Sequence, residues 1–145
     1  MRFEEISLDD IGELSKMYVE TFNAPPWNDE WTIEAAAKRL TQFVNCEDSY
    51  GLTAYEDNVL LGMILGSEEQ FYTGNMFNIK EFCVKNDMRS KGIGTKILAE
   101  FENRLKSKGI VSIVLFTSRN DGTKGFYENR GYGEIKDMVM MAKGL

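Results

Sequence analysis

Histidine is absent from this chain of 145 residues, and cysteine, proline and tryptophan occur only twice each. Without histidine the chain cannot use a Ser-His-Asp or Cys-His arrangement, and it lacks the commonest zinc ligand. Acid–base catalysis must therefore use carboxylates, tyrosine, cysteine, lysine or water. Cys46 and Cys83 are far apart and have no metal-ligand spacing. We expect both to be small core side chains, and we expect no metal site.

Long apolar runs are also missing. No stretch of about 18 apolar residues could form a membrane span, and the N-terminus has no apolar segment typical of a secretion signal. A cytoplasmic location is therefore expected. The formal net charge of −6 argues against nucleic-acid binding, which needs a basic face. It suits a cationic partner, although many proteins are acidic for solubility alone.

The length fits one domain over residues 1–145. Hydrophobic periodicity and turn signals predict helices and strands in a mixed order. A capping-box pair, Ser7 and Asp10, precedes the first helix, and Thr32 caps the second. Asp57-Asn58 tolerates the left-handed geometry of a tight hairpin. The predicted strands cover residues 2–7, 50–56, 59–68, 77–84, 111–117 and 132–142, and later helices cover residues 92–108 and 122–130.

A strand, a long helix and another strand follow one another in the second half of the chain. This order predicts a parallel crossover. We therefore expect an α/β fold with a mixed sheet, antiparallel in its first half and parallel in its centre, flanked by helices.

The loop over residues 84–95 joins a predicted strand to a helix N-terminus, where free N–H groups and a partial positive charge favour phosphate. Gly92 and Gly94 would let the backbone approach an anion closely. A P-loop needs Gly-Lys-Ser/Thr, whereas this chain has Gly94-Thr95-Lys96. A dinucleotide fingerprint needs a small residue where Ile97 stands. Nucleotide binding of either kind is therefore disfavoured.

The hexapeptide Arg89-Ser90-Lys91-Gly92-Ile93-Gly94 resembles the pyrophosphate-binding signature of the GNAT family of N-acetyltransferases. Downstream, Asn120 and the block Phe126-Tyr127-Glu128-Asn129-Arg130-Gly131-Tyr132 are similar to the asparagine and the Phe-Tyr-x-x-x-Gly-Phe/Tyr pattern of that family. The resemblance covers residues 77–132; before it, only the order of elements matches. The alternative is an ordinary loop with a structural glycine pair.

The resemblance implies a GNAT-like fold and acetyl-CoA as co-substrate. Coenzyme A would lie in a gap between the fourth and fifth strands, where the main chain of Cys83 and Val84 pairs with its pantetheine arm. Asn120 would bond the same arm. Lys91 or Lys124 could meet the adenosine phosphates, or could equally form a solvated face. The pyrophosphate would be held by backbone N–H groups of Arg89, Ser90, Lys91, Gly92, Ile93, Gly94 and Thr95.

The resemblance also implies catalytic roles in acyl transfer to an amine. Tyr127 would protonate the leaving thiolate, since a phenol with a pKa of about 10 is a suitable donor. Glu81, three residues before Val84, is the candidate base; the alternatives are a solvent-facing strand residue and the partner of a nearby Lys or Arg. A backbone N–H near Val84 would stabilise the oxyanion.

The acceptor site is less clearly marked. Residues 25–31 contain two tryptophans beside Asp29 and Glu30, which could hold a cation by stacking and charge. Trp31 could equally be a hydrophobic staple for the second helix, which we favour, while the role of Trp27 stays open. Phe71 and Tyr72 could form another wall. The expected partner is a primary amine of a small molecule or peptide. The alternative function is a non-catalytic acyl-CoA-binding sensor or subunit, and a homodimer is left open.

Overall fold

A five-stranded sheet in the order β1-β2-β3-β4-β5 organises residues 1–115 of the computed structural model, which describes all of residues 1–145. Its elements follow one another along the chain as β1 (Arg2–Glu5), α1 (Ile11–Phe22), α2 (Ile33–Val44), β2 (Ser49–Glu56), β3 (Val59–Phe71), β4 (Gly74–Val84), α3 (Ile93–Ser107) and β5 (Ser112–Leu115). The first four strands pair antiparallel, and β4 pairs parallel with β5. The expected mixed sheet is confirmed.

Local chemistry sets the boundaries of the early elements. Ser7 and Asp10 form the expected capping box around a short 3-10 turn that leads into α1. Thr32 caps α2, because its hydroxyl accepts a hydrogen bond from the Ala35 N–H at 3.1 Å. The β2–β3 hairpin turns at Asp57 and Asn58, which both have the positive φ that this turn requires (47° and 63°).

Helices cover both faces of the sheet. On one face, α1 and α2 pack on the sheet in a cluster made of Leu14, Met17, Tyr18, Ala36, Leu40, Tyr55, Leu60, Met63, Leu65 and Cys83. On the other face lies α3, whose Phe101 ring meets the Phe77 ring edge-on with centroids 5.2 Å apart. A Cβ added at Gly62 would come within 2.8 Å of Ile97 on α3, so the lack of a side chain there permits close packing.

A β-bulge in β4 changes which residues face which helices. Leu65 is paired with Glu81 and the next residue of β3, Gly66, with Ile79, so Lys80 has no opposite residue. Phe77 faces α3, whereas Glu81 and Cys83 face α1 and α2, although all three have odd numbers. The extra residue shifts the alternation of the strand by one position. Because Lys80 is accommodated as an extra residue, the Glu81 carboxylate lies on the side of α1 and α2, on the same face as its partner Leu65.

Residues 116–145 form a second unit and are described by themselves. Their regular element is α4 (Lys124–Glu128), and Gly131 follows it with a φ of 91°. The predicted strand over residues 132–142 is wrong, because these residues form turns and irregular backbone. The apolar side chains that suggested a strand are exposed there: Ile135, Met138, Val139, Met140 and Met141. A strand also needs a partner for its backbone groups, and none is paired with this segment.

Cys83 is buried, as expected, but Cys46 is exposed, so the expectation of two core cysteines is wrong for Cys46. It lies in the turn between α2 and β2, where surface loops run. None of the helices combines the length and the apolar character that crossing a membrane requires.

Candidate functional site

Glu81 lies at the centre of a polar cluster between the sheet and the first two helices. Its side chain is only 7% exposed. One carboxylate oxygen, Oε1, accepts a hydrogen bond from the Tyr18 hydroxyl at 3.0 Å and another from Nε of Arg39 at 2.5 Å. The three residues come from β4, α1 and α2. Glu81 is thus buried and paired with an arginine, and it is not a solvent-facing strand residue.

Burial dominates the electrostatics of this cluster. It raises the pKa of Glu81, while the hydrogen bonds and the charge of Arg39 act in the opposite direction. Burial raises the pKa of the Tyr18 phenol well above its usual value, and the negative charge of the neighbouring Glu81 adds to this shift. Tyr18 therefore keeps its proton and remains a hydrogen-bond donor to the carboxylate. Burial also raises the pKa of the Cys83 thiol to about 12, so this thiol is not a ready nucleophile.

Arg39 spans the cluster and its surroundings. Its guanidinium carbon lies 4.7 Å from the centre of the Phe43 ring and 5.8 Å from that of Trp31. Its side chain is 41% exposed. The guanidinium therefore has one end on the buried carboxylate and still reaches solvent.

The α1–α2 loop, residues 23–32, is fastened beside this cluster. The Asn23 side chain bonds both the N–H and the carbonyl of Trp31, at 2.8 and 2.9 Å. The Trp31 ring lies edge-on to Tyr18 with centroids 5.1 Å apart, and its indole N–H donates to Asp29. These contacts support the structural role that we favoured for Trp31. An open depression of about 660 Å³ adjoins it, lined by Asn28, Asp29, Glu30, Trp31, Thr32 and Ala35.

Trp27, whose role the sequence left open, contacts both α1 and the glycine loop. Its ring lies edge-on to Phe22 with centroids 5.0 Å apart, and the guanidinium of Arg89 lies 4.8 Å from its centre. Arg89 also bonds the Asn86 side chain and the carbonyl of Pro25. The first residue of the glycine signature therefore uses its side chain to hold the α1–α2 loop.

The glycine loop has features that fit an anion at its backbone. Ser90 and Gly92 have positive φ values of 61° and 79°. Gly92 occupies the N-cap of α3 without offering a side-chain cap, and the first turn of α3 has no acidic residue. A Cβ added at Gly92 would meet no atom within 4 Å, so there is open space beside this backbone. This helix start can therefore accept a pyrophosphate group.

The sheet changes at the predicted position of the pantetheine arm. The β4–β5 ladder ends at the pair Ile79–Leu115, whereas β4 continues to Val84. Cys83 and Val84 thus lie beyond the last β4–β5 pair, next to the glycine loop that follows β4. This arrangement fits an extended group lying along the end of β4.

Asn120 and Tyr127 belong to the unit of residues 116–145. The Asn120 Oδ1 accepts hydrogen bonds from the Thr123 N–H and hydroxyl at 3.0 and 3.1 Å, which caps the turn before α4. Tyr127 lies in α4, with its ring edge-on to Phe126 and to Tyr132. Burial raises the pKa of the Tyr127 phenol, so the phenol keeps its proton.

The remaining candidates lie on the surface. Lys124 forms ion pairs with Glu128 and Glu134, at 3.4 and 3.5 Å. Lys91 lies at an exposed position with its ammonium 4.0 Å from the Met88 sulfur. Tyr72 is 90% exposed, and with Phe71 it forms an aromatic pair at the β3–β4 turn.

Sequence reasoning missed two members of the cluster, Tyr18 and Arg39. The helical period of α1 puts Tyr18 on its apolar face, yet a buried tyrosine hydroxyl needs a polar partner. A glutamate in a mostly apolar strand likewise needs a cation. The need of a buried tyrosine and a buried glutamate for polar partners could have indicated the cluster, but the sequence does not show which cation pairs with the glutamate.

Comparisons with known proteins identify the family of this chain and match its fold. The sequence matches the model of the acetyltransferase (GNAT) family over residues 12–132. Among solved structures, a possible acetyltransferase from Clostridium difficile 630 superposes with a TM-score of 0.82 at 18% identity, covering 99% of this chain and 97% of that one. A ribosomal-protein-alanine N-acetyltransferase from Brucella melitensis biovar Abortus 2308 gives a TM-score of 0.77 at 17% identity, covering 100% of both chains. A predicted acetyltransferase from Clostridium acetobutylicum, determined with acetyl-CoA, gives 0.73 at 16% identity, covering 97% of this chain and 95% of that one.

Proposed function

Because this chain belongs to the acetyltransferase (GNAT) family, we propose that it transfers an acetyl group from acetyl-CoA to a primary amine of a small molecule or peptide by direct attack. One observation carries the proposal. β4 runs past its last pair with β5 and leads into a glycine loop at a helix start that has no side-chain cap. Such a helix start binds phosphate, and an extended strand end can align a chain-like group.

The co-substrate would be held mainly by backbone. The pyrophosphate would lie against the N–H groups of residues 89–95, and the pantetheine arm against the main chain of Cys83 and Val84. Asn120 can still donate from its amide nitrogen, because its cap uses only Oδ1. When bound, acetyl-CoA supplies the acetyl group as a thioester.

Glu81 is the base in this proposal. The attacking amine must lose a proton, and no histidine is present to take it. The Glu81 carboxylate lies next to the α1–α2 loop, whose Asp29 and Glu30 border an open depression beside Trp31. These acidic groups would favour a cationic acceptor on that side. A backbone N–H near Val84 would stabilise the negative charge that develops on the carbonyl oxygen, an effect worth roughly 3–4 kcal/mol in such sites.

Direct attack is preferred over a covalent acyl-enzyme. The cysteine close to the end of β4, Cys83, is buried, and its thiol pKa of about 12 leaves almost no thiolate. Tyr127 would supply the proton that the leaving thiolate needs, since its phenol remains protonated. The alternative function is a domain that binds acyl-CoA without turnover.

A thiol-release assay separates the two functions. Acetyl-CoA would be incubated with the enzyme and, in turn, with spermidine, kanamycin and a peptide with an N-terminal alanine. An enzyme should release coenzyme A faster with at least one amine and yield its acetylated product by mass spectrometry. Glu81→Gln should lower kcat/KM for that amine by about 10²–10⁴-fold. Glu56→Gln, an exposed carboxylate at the end of β2, is the matched control. Acetyl-CoA binding with no turnover of any amine would favour the binding domain.

A further inference from the structure

Both donors that hold Glu81 converge on the same carboxylate oxygen. The Tyr18 hydroxyl and the Arg39 Nε each bond Oε1, and Oε2 accepts no hydrogen bond from the chain. Arginine–carboxylate pairs are often bidentate, with both oxygens engaged. Here the arginine uses a single nitrogen, and the tyrosine takes the second place on Oε1.

Resting on the proposed function, we propose that Tyr18 and Arg39 are positioning residues: they anchor Oε1 of Glu81 and leave Oε2 as the atom that takes the proton from the acceptor. A carboxylate anchored at both oxygens would have to break a bond before accepting this proton. A carboxylate anchored at neither would rotate about its last side-chain torsion, which is broad. Anchoring one oxygen avoids both problems.

The step needs no further reactant. An N–H bond of the acceptor ammonium breaks, its electron pair stays on nitrogen, and a new O–H bond forms at Oε2. The neutral amine can then attack, and the Glu81 carboxyl later returns its proton to solvent. Arg39 and Tyr18 keep their own protons throughout.

The charges around Glu81 act on this step in known directions. From α2, Arg39 favours the ionised carboxylate, and from α1 the Tyr18 hydroxyl does the same by donating to it. From the α1–α2 loop, Asp29 opposes ionisation, as burial does. On the same strand, the Cys83 thiol is neutral. Removing either donor should therefore leave Glu81 protonated at higher pH than in the wild type.

A carboxyl-carbon NMR titration of Glu81 tests the anchoring without any acceptor. The resonance is assigned by its loss in Glu81→Gln. The Glu81 pKa should rise in Tyr18→Phe and in Arg39→Gln, and return towards the wild-type value in Arg39→Lys, which keeps the charge. Arg104→Gln, which removes an ion pair within α3, should leave it unchanged. An unchanged Glu81 pKa in both Tyr18→Phe and Arg39→Gln would overturn the anchoring.

The pH profile of kcat/KM, measured with whichever amine of the panel reacts fastest, tests the positioning role. In Tyr18→Phe and Arg39→Gln, the pKa of the acid limb should rise by the same amount as the Glu81 pKa measured by NMR. At pH 6.5 we expect about a tenfold loss in Tyr18→Phe, with KM for acetyl-CoA unchanged. A merely structural role would lower activity equally at all pH values, and that result would overturn the proposal. Turnover of no amine would overturn both the proposed function and the proton transfer, while the NMR titration would still decide the anchoring.

Discussion

The guanidinium of Arg89 lies over the ring of Trp27, 4.8 Å from its centre. Arg89 begins the glycine loop, and Trp27 belongs to the α1–α2 loop, so this contact joins the proposed cofactor-binding segment to the proposed acceptor side. The bond from Arg89 to the Pro25 carbonyl, at 3.4 Å, reinforces it. Contacts within the chain therefore fasten the two loops to each other.

We expect a measurable coupling between these two side chains. A cation over an exposed aromatic ring is worth about 0.5–1 kcal/mol. A double-mutant cycle with Trp27→Ala and Arg89→Ala, read by urea unfolding, should give a coupling free energy in that range. Trp27→Phe keeps a ring face and should retain part of it. If the losses of unfolding free energy in the two single variants simply add in the double variant, the contact between Arg89 and Trp27 contributes nothing to stability.

Gly94→Glu should abolish acetyl-CoA binding while the protein remains folded. Gly94 is the second residue of α3, where a carboxylate would occupy the space for phosphate and repel it. Gly12 is likewise the second residue of α1, and a Cβ there would meet nothing within 4 Å. Gly12→Glu is thus the matched control and should bind normally by calorimetry. Undiminished affinity in a folded Gly94→Glu protein would remove the phosphate assignment of this loop.

Tyr127→Phe should lower kcat by about 10²-fold and leave thermal stability and coenzyme A affinity nearly unchanged. The substitution keeps the ring that packs against Phe126 and Tyr132 and removes only the proton donor. The loss should shrink with an acyl donor whose thiol is more acidic, because such a leaving group needs less protonation. Phe126→Leu serves as the comparison for packing alone. Wild-type turnover in Tyr127→Phe would rule out the phenol as the acid.

The free energy of unfolding should depend on pH through Glu81. Its folded-state pKa is raised by burial, so the folded protein binds this proton more tightly than the unfolded chain does. The resulting stability is fully present below the ordinary carboxyl pKa and is lost as the pH rises through the folded pKa. The stability of the wild type minus that of Glu81→Gln should therefore fall as the pH rises from about 4. If urea unfolding instead showed this difference rising, the Arg39 pair would outweigh burial.

Structural features that depend on a few neighbouring residues could be predicted from the sequence. The capping box of Ser7 and Asp10, the cap at Thr32 and the hairpin at Asp57 and Asn58 each depend on backbone groups within three residues. The apolar face of α3 follows in the same way from its 3.6-residue period. These features are local, and the order of elements that they define was enough to predict the mixed sheet.

The polar cluster could not be predicted, because its members meet only through packing. Tyr18 is 63 residues from Glu81 along the chain, and Arg39 is 42 residues away. Their meeting depends on how α1 and α2 lie on the sheet, which no local pattern encodes. The error over residues 132–142 has the same cause, since an apolar segment becomes a strand only when another strand pairs with it.

The unpaired Lys80 also sets a rule for mutations in β4. Deleting one residue from a regular strand exchanges the faces of all residues that follow it, because successive side chains alternate between the two faces. Lys80 is an exception, because it is the extra residue of the bulge. Removing Lys80 would make Ile79 and Glu81 neighbours opposite Gly66 and Leu65, so the carboxylate of Glu81 would stay on the side of α1 and α2. Deleting Lys80 should therefore be less harmful than deleting a paired residue beyond the bulge, such as Phe82, which would turn Cys83 toward α3. Point substitutions at Lys80 itself, an exposed side chain, should be well tolerated.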